Sequence, residues 1–273
     1  MLGRRADGFH ELRSLVAFAG VGDTVELTPQ EGLDLRIEGP FAAALDGGNL
    51  ISEAAEAAEA HTPGLTLGRF RLVKTLPVAA GLGGGSADAA AALRLIAEAN
   101  QGALTEAAMA ALAPELGSDV AVCLNSEPAL ITGRGEVVTP LEGFPSCGVV
   151  LANPGLPLAT KDVYAALDAR PLEAPLETSA PPDFAGDFER LVAYAAPRGN
   201  DLEAAALRQV PAIGTVLAAL GALRGARLAR LSGSGPTCLA LFASPREAHR
   251  AATALAQTEP DWWITASMLG DPK

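Results

Sequence analysis

Four glycines in five positions, Gly81-Leu82-Gly83-Gly84-Gly85, end on Ser86 between a strand-like stretch, 68–76, and an Ala-rich helical one, 87–99. Such density constrains the chain strongly. Glycine reaches positive φ and lets the main chain touch a ligand, while the first N–H groups of the following helix point at that ligand with the positive end of the helix dipole. That geometry suits phosphate. No Gly-Lys-Ser/Thr follows, so this is not a Walker A loop, and the third glycine of GxGxxG would fall on Ser86 or Asp88. Ser86 is also no nucleophile of the GxSxG type, because position 88 is Asp. A hydroxyl beside phosphates suits Mg²⁺ ligation or donation to an oxygen, which makes Ser86 the candidate metal ligand. Close helix packing is the competing use of such a turn.

Composition narrows what can surround this loop. With 273 residues, 49% of them hydrophobic and only 4% aromatic, the chain can form one large or two modest domains with cores of Ala, Leu and Val. A net charge of −12 and the lack of any Lys/Arg block exclude nonspecific binding to nucleic acid or anionic membrane. Cys123, Cys147 and Cys238 are far apart and odd in number, which reads as reduced core thiols. His10, His61 and His249 are too dispersed for a zinc motif. No signal-like core opens the sequence and no apolar run nears the roughly 18 residues of a membrane span. The expectation is a cytoplasmic chain with a small-molecule ligand, no membrane or nucleic-acid partner, and a monomeric or homodimeric state.

Patterning predicts strands at 14–19, 23–27 and 33–37, a helix over 49–61, and after the glycine loop a second helix, 105–116. A hairpin around Gly133-Arg134-Gly135 follows. A boundary in 142–147 divides the chain into residues 1–146 and 147–273. The second part reads as a strand at 148–152, helices at 160–167, 201–209, 213–220 and 245–257, and strands at 226–231 and 237–242. The proline-rich stretch 170–184 reads as a surface loop. The alternation suggests an α+β architecture.

Two further segments carry chemistry. In Leu116-Gly117-Ser118-Asp119-Val120 a carboxylate follows a helix end; alone it is ordinarily a turn residue, but beside a phosphate loop it can serve as the base that meets a hydroxyl. Leu231-Ser232-Gly233-Ser234-Gly235-Pro236-Thr237 reads by itself as a tight hairpin turn.

In order, the stretch Leu76-Pro77-Val78-Ala79-Ala80-Gly81-Leu82-Gly83-Gly84-Gly85-Ser86, then Gly117-Ser118-Asp119-Val120, then Ser232-Gly233-Ser234-Gly235, resembles the motif set of the GHMP kinase superfamily. The opening Gly3-Arg4-Arg5-Ala6-Asp7-Gly8-Phe9-His10 is similar to the branch acting on 4-diphosphocytidyl-2-C-methyl-D-erythritol. The resemblance implies an N-terminal domain like domain 2 of ribosomal protein S5 and a ferredoxin-like C-terminal domain. It implies ATP and Mg²⁺ as cofactors, Asp119 as the catalytic residue, and nucleotide contacts from Pro77, Ala80, Gly81, Leu82, Gly83, Gly84, Gly85 and Ser86. Phe9 and His10, with Thr160 and Tyr164 of Pro157-Leu158-Ala159-Thr160-Lys161-Asp162-Val163-Tyr164, would hold the cytosine and cytidine; the family's usual tyrosine is Phe at position 9. Asn200-Asp201-Leu202-Glu203 also matches, as a helix cap.

One departure matters for chemistry. Family members carry an upstream Ala-Lys-Ile-Asn-Leu strand whose lysine stands beside the aspartate, and the only lysines here are Lys74, Lys161 and Lys273. The resemblance therefore implies a sheet short of one strand and an Asp119 without its cation. Lys74 is expected either to approach phosphate or to lie solvated on a strand edge. A nucleotide-binding protein with impaired turnover, or another small-metabolite GHMP kinase, is the alternative reading.

Overall fold

The computed structural model describes residues 3–45, 47–172 and 180–270. Its first half runs through β1 (Gly3–Arg4), β2 (His10–Val16), β3 (Thr24–Thr28), β4 (Leu33–Glu38), α1 (Leu50–His61), β5 (Gly68–Val73) and α2 (Gly84–Ala99). Helices α3 (Glu106–Leu116) and α4 (Val120–Asn125) then lead into a hairpin of β6 (Ala129–Gly133) and β7 (Val137–Pro140). Local chemistry sets the helix starts: the Asn49 side chain accepts from Ile51 N–H, and Thr105 accepts from Ala108 N–H. An antiparallel sheet of order β1-β2-β6-β7 and a second sheet of order β3-β5-β4 result, with β4 parallel to β5 across the α1 crossover. Ile51, Phe70, Leu72, Leu93, Ile96 and Val120 fill the core between these layers. Alanines 54, 55 and 58 of α1 and 89, 90 and 92 of α2 are fully buried, so small side chains, not aromatics, set how closely the helices approach.

The second half comprises β8 (Cys147–Asn153), α5 (Thr160–Ala165), α6 (Phe188–Ala195), α7 (Glu203–Gln209), α8 (Ala212–Ala222), β9 (Leu228–Leu231), β10 (Cys238–Phe242), α9 (Pro245–Thr258) and β11 (Trp263–Leu269). Its strands pair antiparallel in the order β11-β8-β10-β9, the ferredoxin-like arrangement. All seven residues of β8 are buried. Alternation explains why: Val150 and Ala152 face the core under α7, α8 and α9, while Cys147, Val149 and Leu151 face a second cluster shared with Leu130, Leu141, Phe184 and Leu191. That second cluster joins the halves. The main chain joins them too, since Gly20 N–H donates to Met268 O at 3.0 Å and Gly270 N–H to Phe18 O at 3.1 Å.

Several elements differ from their sequence-based expectation. The strand expected at 14–19 starts at His10, so the Phe9-His10 pair stands at a strand entrance. Helix α2 begins at Gly84 and not near 87, because Gly83 in the left-handed region turns the chain and lets the next two glycines enter the helix. The apolar run after Asp119 is the six-residue α4, too short to show a helical period. Helix α6, capped by the Asp187 side chain on Glu189 N–H and Arg190 N–H, and strand β11 were not expected. Of the proline-rich stretch, residues 173–179 lie outside the described residues. Its far end is core and not surface, with Phe184 1% exposed and its ring 5.7 Å from Phe144 and 5.6 Å from Tyr194.

Candidate active site

The glycine loop lies on the seam between the halves. Gly81 at φ +71° and Gly83 at φ +67° turn the chain into α2, whose start carries no side-chain cap. Its first amides are thus left to a ligand, in the field of the helix dipole. The second glycine motif presses on the first: Ser232 Oγ donates to Gly81 O at 2.8 Å, and Thr237 N–H donates to Ala80 O at 3.2 Å. A Cβ on Gly81 would stand 2.5 Å from Ser232 O, so glycine is required there by contact as well as by φ. The turn at 232–235 is therefore more than a hairpin connection. Leu82 packs its side chain against the apolar cluster joining the halves, and Ala80 is buried. Pro77 lies on the loop's approach, directly after the buried Leu76.

Asp119 arrives from the other side of the loop. It stands at the N-cap of α4, yet its side chain makes no capping bond. A Cβ on Gly83 would lie 4.0 Å from Asp119 Oδ2, and one on Gly117 would lie 3.9 Å from Ser86 Oγ, so loop, hydroxyl and carboxylate converge. Asp119 is exposed as a residue, yet its carboxylate loses part of its hydration to the protein around it. Lost hydration raises its pKa above the ordinary carboxylate value, and no cation counters the shift.

The four residues expected around the nucleobase come only partly together. His10 and Tyr164 pair at 5.2 Å between ring centroids, across the two halves. Thr160 Oγ1 lies 2.9 Å from Ser234 Oγ, fixing the start of α5 to the second glycine motif. Burial raises the Tyr164 pKa and the Asp119 charge adds to it. Burial, then the charge of Arg4, holds His10 below the ordinary histidine value. Phe9 stands apart, half-exposed, with the Arg134 guanidinium carbon 4.8 Å over its ring.

Three features escaped sequence reasoning. Arg134 is one: its hairpin turn is tied to the Phe9 loop through Glu11, which accepts from Gly133 N–H and from Arg5. Arg94 is another, an exposed residue of α2 donating to the carbonyls of Cys123 and Leu124 at 2.8 and 3.0 Å, at the end of the helix that Asp119 starts. Lys74 is the third and corrects an expectation. It does not lie solvated: its side chain is 4% exposed, with Nζ 2.5 Å from Asp23 Oδ2 and 2.9 Å from Asp88 Oδ2. Burial lowers the Lys74 pKa but the two carboxylates outweigh it, giving a net rise, while burial and the Asp23 charge push Asp88 up to about 6 against the pull of Lys74. These pairs span 51 and 14 residues, separations at which no local pattern signals contact.

Among the described residues no group of three or more His, Cys, Asp or Glu could hold a metal by itself. Ser86 Oγ at the loop is a hard oxygen of the kind Mg²⁺ takes, since that ion needs few protein ligands and completes its shell with phosphate and water.

Two α+β halves meeting on glycine loops, with an uncapped carboxylate at the phosphate side, are the build of a small-molecule phosphotransferase, the class of the GHMP kinases. Family models agree: the GHMP kinases N terminal domain matches residues 49–127 and the GHMP kinases C terminal domain residues 182–261. The 4-diphosphocytidyl-2-C-methyl-D-erythritol kinase of Rhodopseudomonas palustris BisB18 is 45% identical, covering 99% of this chain and 90% of the relative. Its counterpart in Methylobacterium radiotolerans is 48% identical over 98% and 94%. A crystal structure of 4-(cytidine 5'-diphospho)-2C-methyl-D-erythritol kinase superposes with TM-score 0.74 at 32% identity, covering 99% of this chain and 96% of that one. Homoserine kinase from Cytophaga hutchinsonii, at TM-score 0.63 and 19% identity, shares the fold alone. This chain belongs to the GHMP kinases and, within them, to the 4-diphosphocytidyl-2-C-methyl-D-erythritol kinase family.

Proposed function

We propose that this chain transfers the terminal phosphoryl group of ATP to the erythritol 2-hydroxyl of 4-diphosphocytidyl-2-C-methyl-D-erythritol, a step of the non-mevalonate isoprenoid route, in the cytoplasm. The observation that carries it is the approach of Asp119 Oδ2 to within 4.0 Å of the Gly83 Cβ position, which supports a carboxylate acting beside a loop-bound phosphate. We assign residues 1–146 to the half bearing the phosphate loop and 147–273 to the half bearing α5 and the second glycine motif; the all-buried strand β8, starting at Cys147, supports that division.

Backbone amides of Gly81, Gly83, Gly84 and Gly85 and the N-terminus of α2 hold the nucleotide's phosphates, with Pro77, Ala80 and Leu82 shaping the loop. Mg²⁺, when bound through phosphate oxygens and Ser86, neutralises charge on the transferring group. His10 and Tyr164, with Thr160 beside them, receive the cytidine, and Phe9 stacks on the base. A neutral His10 keeps one ring nitrogen as donor and one as acceptor for the base edge. Asp119 orients the hydroxyl and accepts its proton as the bond to phosphorus forms. Positioning contributes more than basicity, because the alcohol is far less acidic than any carboxylic acid.

ADP release with Mg-ATP tests the reading, measured with and without the cytidyl substrate, beside Asp119→Asn and a version carrying the upstream lysine strand. Substrate-dependent turnover that falls about 100-fold or more in D119N is the expected result. Turnover only in the extended version keeps the assignment and makes the lysine essential. ATP binding without ADP release in either version would overturn it in favour of a nucleotide-binding protein.

A further inference from the structure

The buried ion triad Asp23–Lys74–Asp88 has no part in the steps above, although it lies directly behind the phosphate loop. A Cβ on Gly84, the first residue of α2, would stand 3.3 Å from Lys74 Nζ and 3.4 Å from Asp23 Oδ2. Burying three charges is unfavourable unless geometry repays it, and two carboxylates against one ammonium leave a negative charge behind a site meant for anions. Attraction of phosphate therefore cannot be its role. Connectivity offers another. Lys74 closes the approach to the loop and Asp88 belongs to the second turn of the helix that leaves it, so the 2.9 Å bond between them ties entrance to exit. Asp23 locks the entrance itself: while Oδ2 takes the ammonium, Oδ1 accepts from Thr75 N–H at 2.6 Å and from Leu76 N–H at 2.9 Å. Two of the three ammonium protons are thus committed inside the protein.

We propose that Lys74 is a positioning residue: joined to Asp23 and Asp88, it staples the two ends of the phosphate loop and presets the amides of residues 81–85 for the nucleotide without touching it. The inference rests on the reading that this loop holds the ATP phosphates. It places no demand on the cytidine side, where Phe9, His10, Thr160 and Tyr164 come from other elements.

That separation makes the staple testable by equilibrium binding. Calorimetry with Mg-ATP, and separately with the cytidyl substrate, would compare the full chain with Asp88→Asn, which keeps an oxygen for Nζ, and Asp88→Leu, which removes it at similar volume. ATP affinity should fall about tenfold or more in D88L and less than about threefold in D88N, with affinity for the cytidyl substrate held within about twofold in both. If D88L does not fold, the double variant Lys74→Met/Asp88→Asn removes the tie without stranding Asp88 as a charge, and the same loss of ATP affinity is expected. ATP binding at the level of the unaltered chain in the tie-less variant, or parallel loss of both ligands, overturns the proposal. Failure of the unaltered chain to bind ATP would instead overturn the reading of the loop.

Discussion

Replacing Gly81 by alanine tests the seam between the halves most directly. At φ +71° an L-residue costs about 1–2 kcal/mol relative to glycine. Its Cβ would stand 2.5 Å from Ser232 O, 2.7 Å from Gly235 N and 2.8 Å from Gly235 O, all main-chain atoms that no rotamer change can move aside. Overpacking of this kind costs a further 1–3 kcal/mol or so, giving about 2–5 kcal/mol in all. A domain commonly has about 5–15 kcal/mol of stability, so the loss would be large. Relief can come only from parting the two glycine loops, which stretches the bond from Ser232 Oγ to Gly81 O and displaces the amides proposed to hold the nucleotide. Urea unfolding should show the midpoint falling with an unchanged slope, and ATP affinity should fall with it. Gly22→Ala is the control, since its Cβ meets nothing within 4 Å and the position has no left-handed φ; it should stay within about 0.5 kcal/mol. A G81A protein within about 1 kcal/mol of the parent and equal to it in ATP affinity would refute the claim that these backbones are in obligatory contact.

Two other measurements probe the remaining parts. His10 is held below the ordinary histidine value of 6.5 by burial and then by Arg4, so it stays neutral on the alkaline side and gains a proton only as pH falls. KM for the cytidyl substrate should be flat from pH 8 downward and rise on the acid side; a rise starting above pH 7 would contradict a depressed His10. Arg94→Ala removes two charge-assisted bonds to the end of α4 and should cost about 2–3 kcal/mol while letting Asp119 drift. The kinetic signature is a lower kcat with KM for both substrates little changed and partial recovery in Arg94→Lys; an unaltered kcat would show that α4 is held by other means.

The chemical parts of the site were legible wherever a local pattern carries the physics. Glycine density before a helix marks a backbone able to cradle an anion, because positive φ and free helix amides belong to that segment alone. Patterning likewise placed α1, α3 and α9 closely, since their buried faces repeat at helical spacing. It missed α4, whose six residues hold too few turns to repeat, and α6, hidden behind prolines that read as loop. Nor could it tell that the turn at 232–235 bears on Gly81, or that Phe184 is core. Lys74 is the sharpest case: its spacing from the loop does not tell a solvated edge from a buried ion pair. Only the fold, by bringing Asp23 and Asp88 to it across 51 and 14 residues, chose between them. The sequence by itself determined which backbone can cradle phosphate and which residue types stand near it. Tertiary structure decided which charges meet, because the cost of burying an ammonium depends on partners that no local window contains.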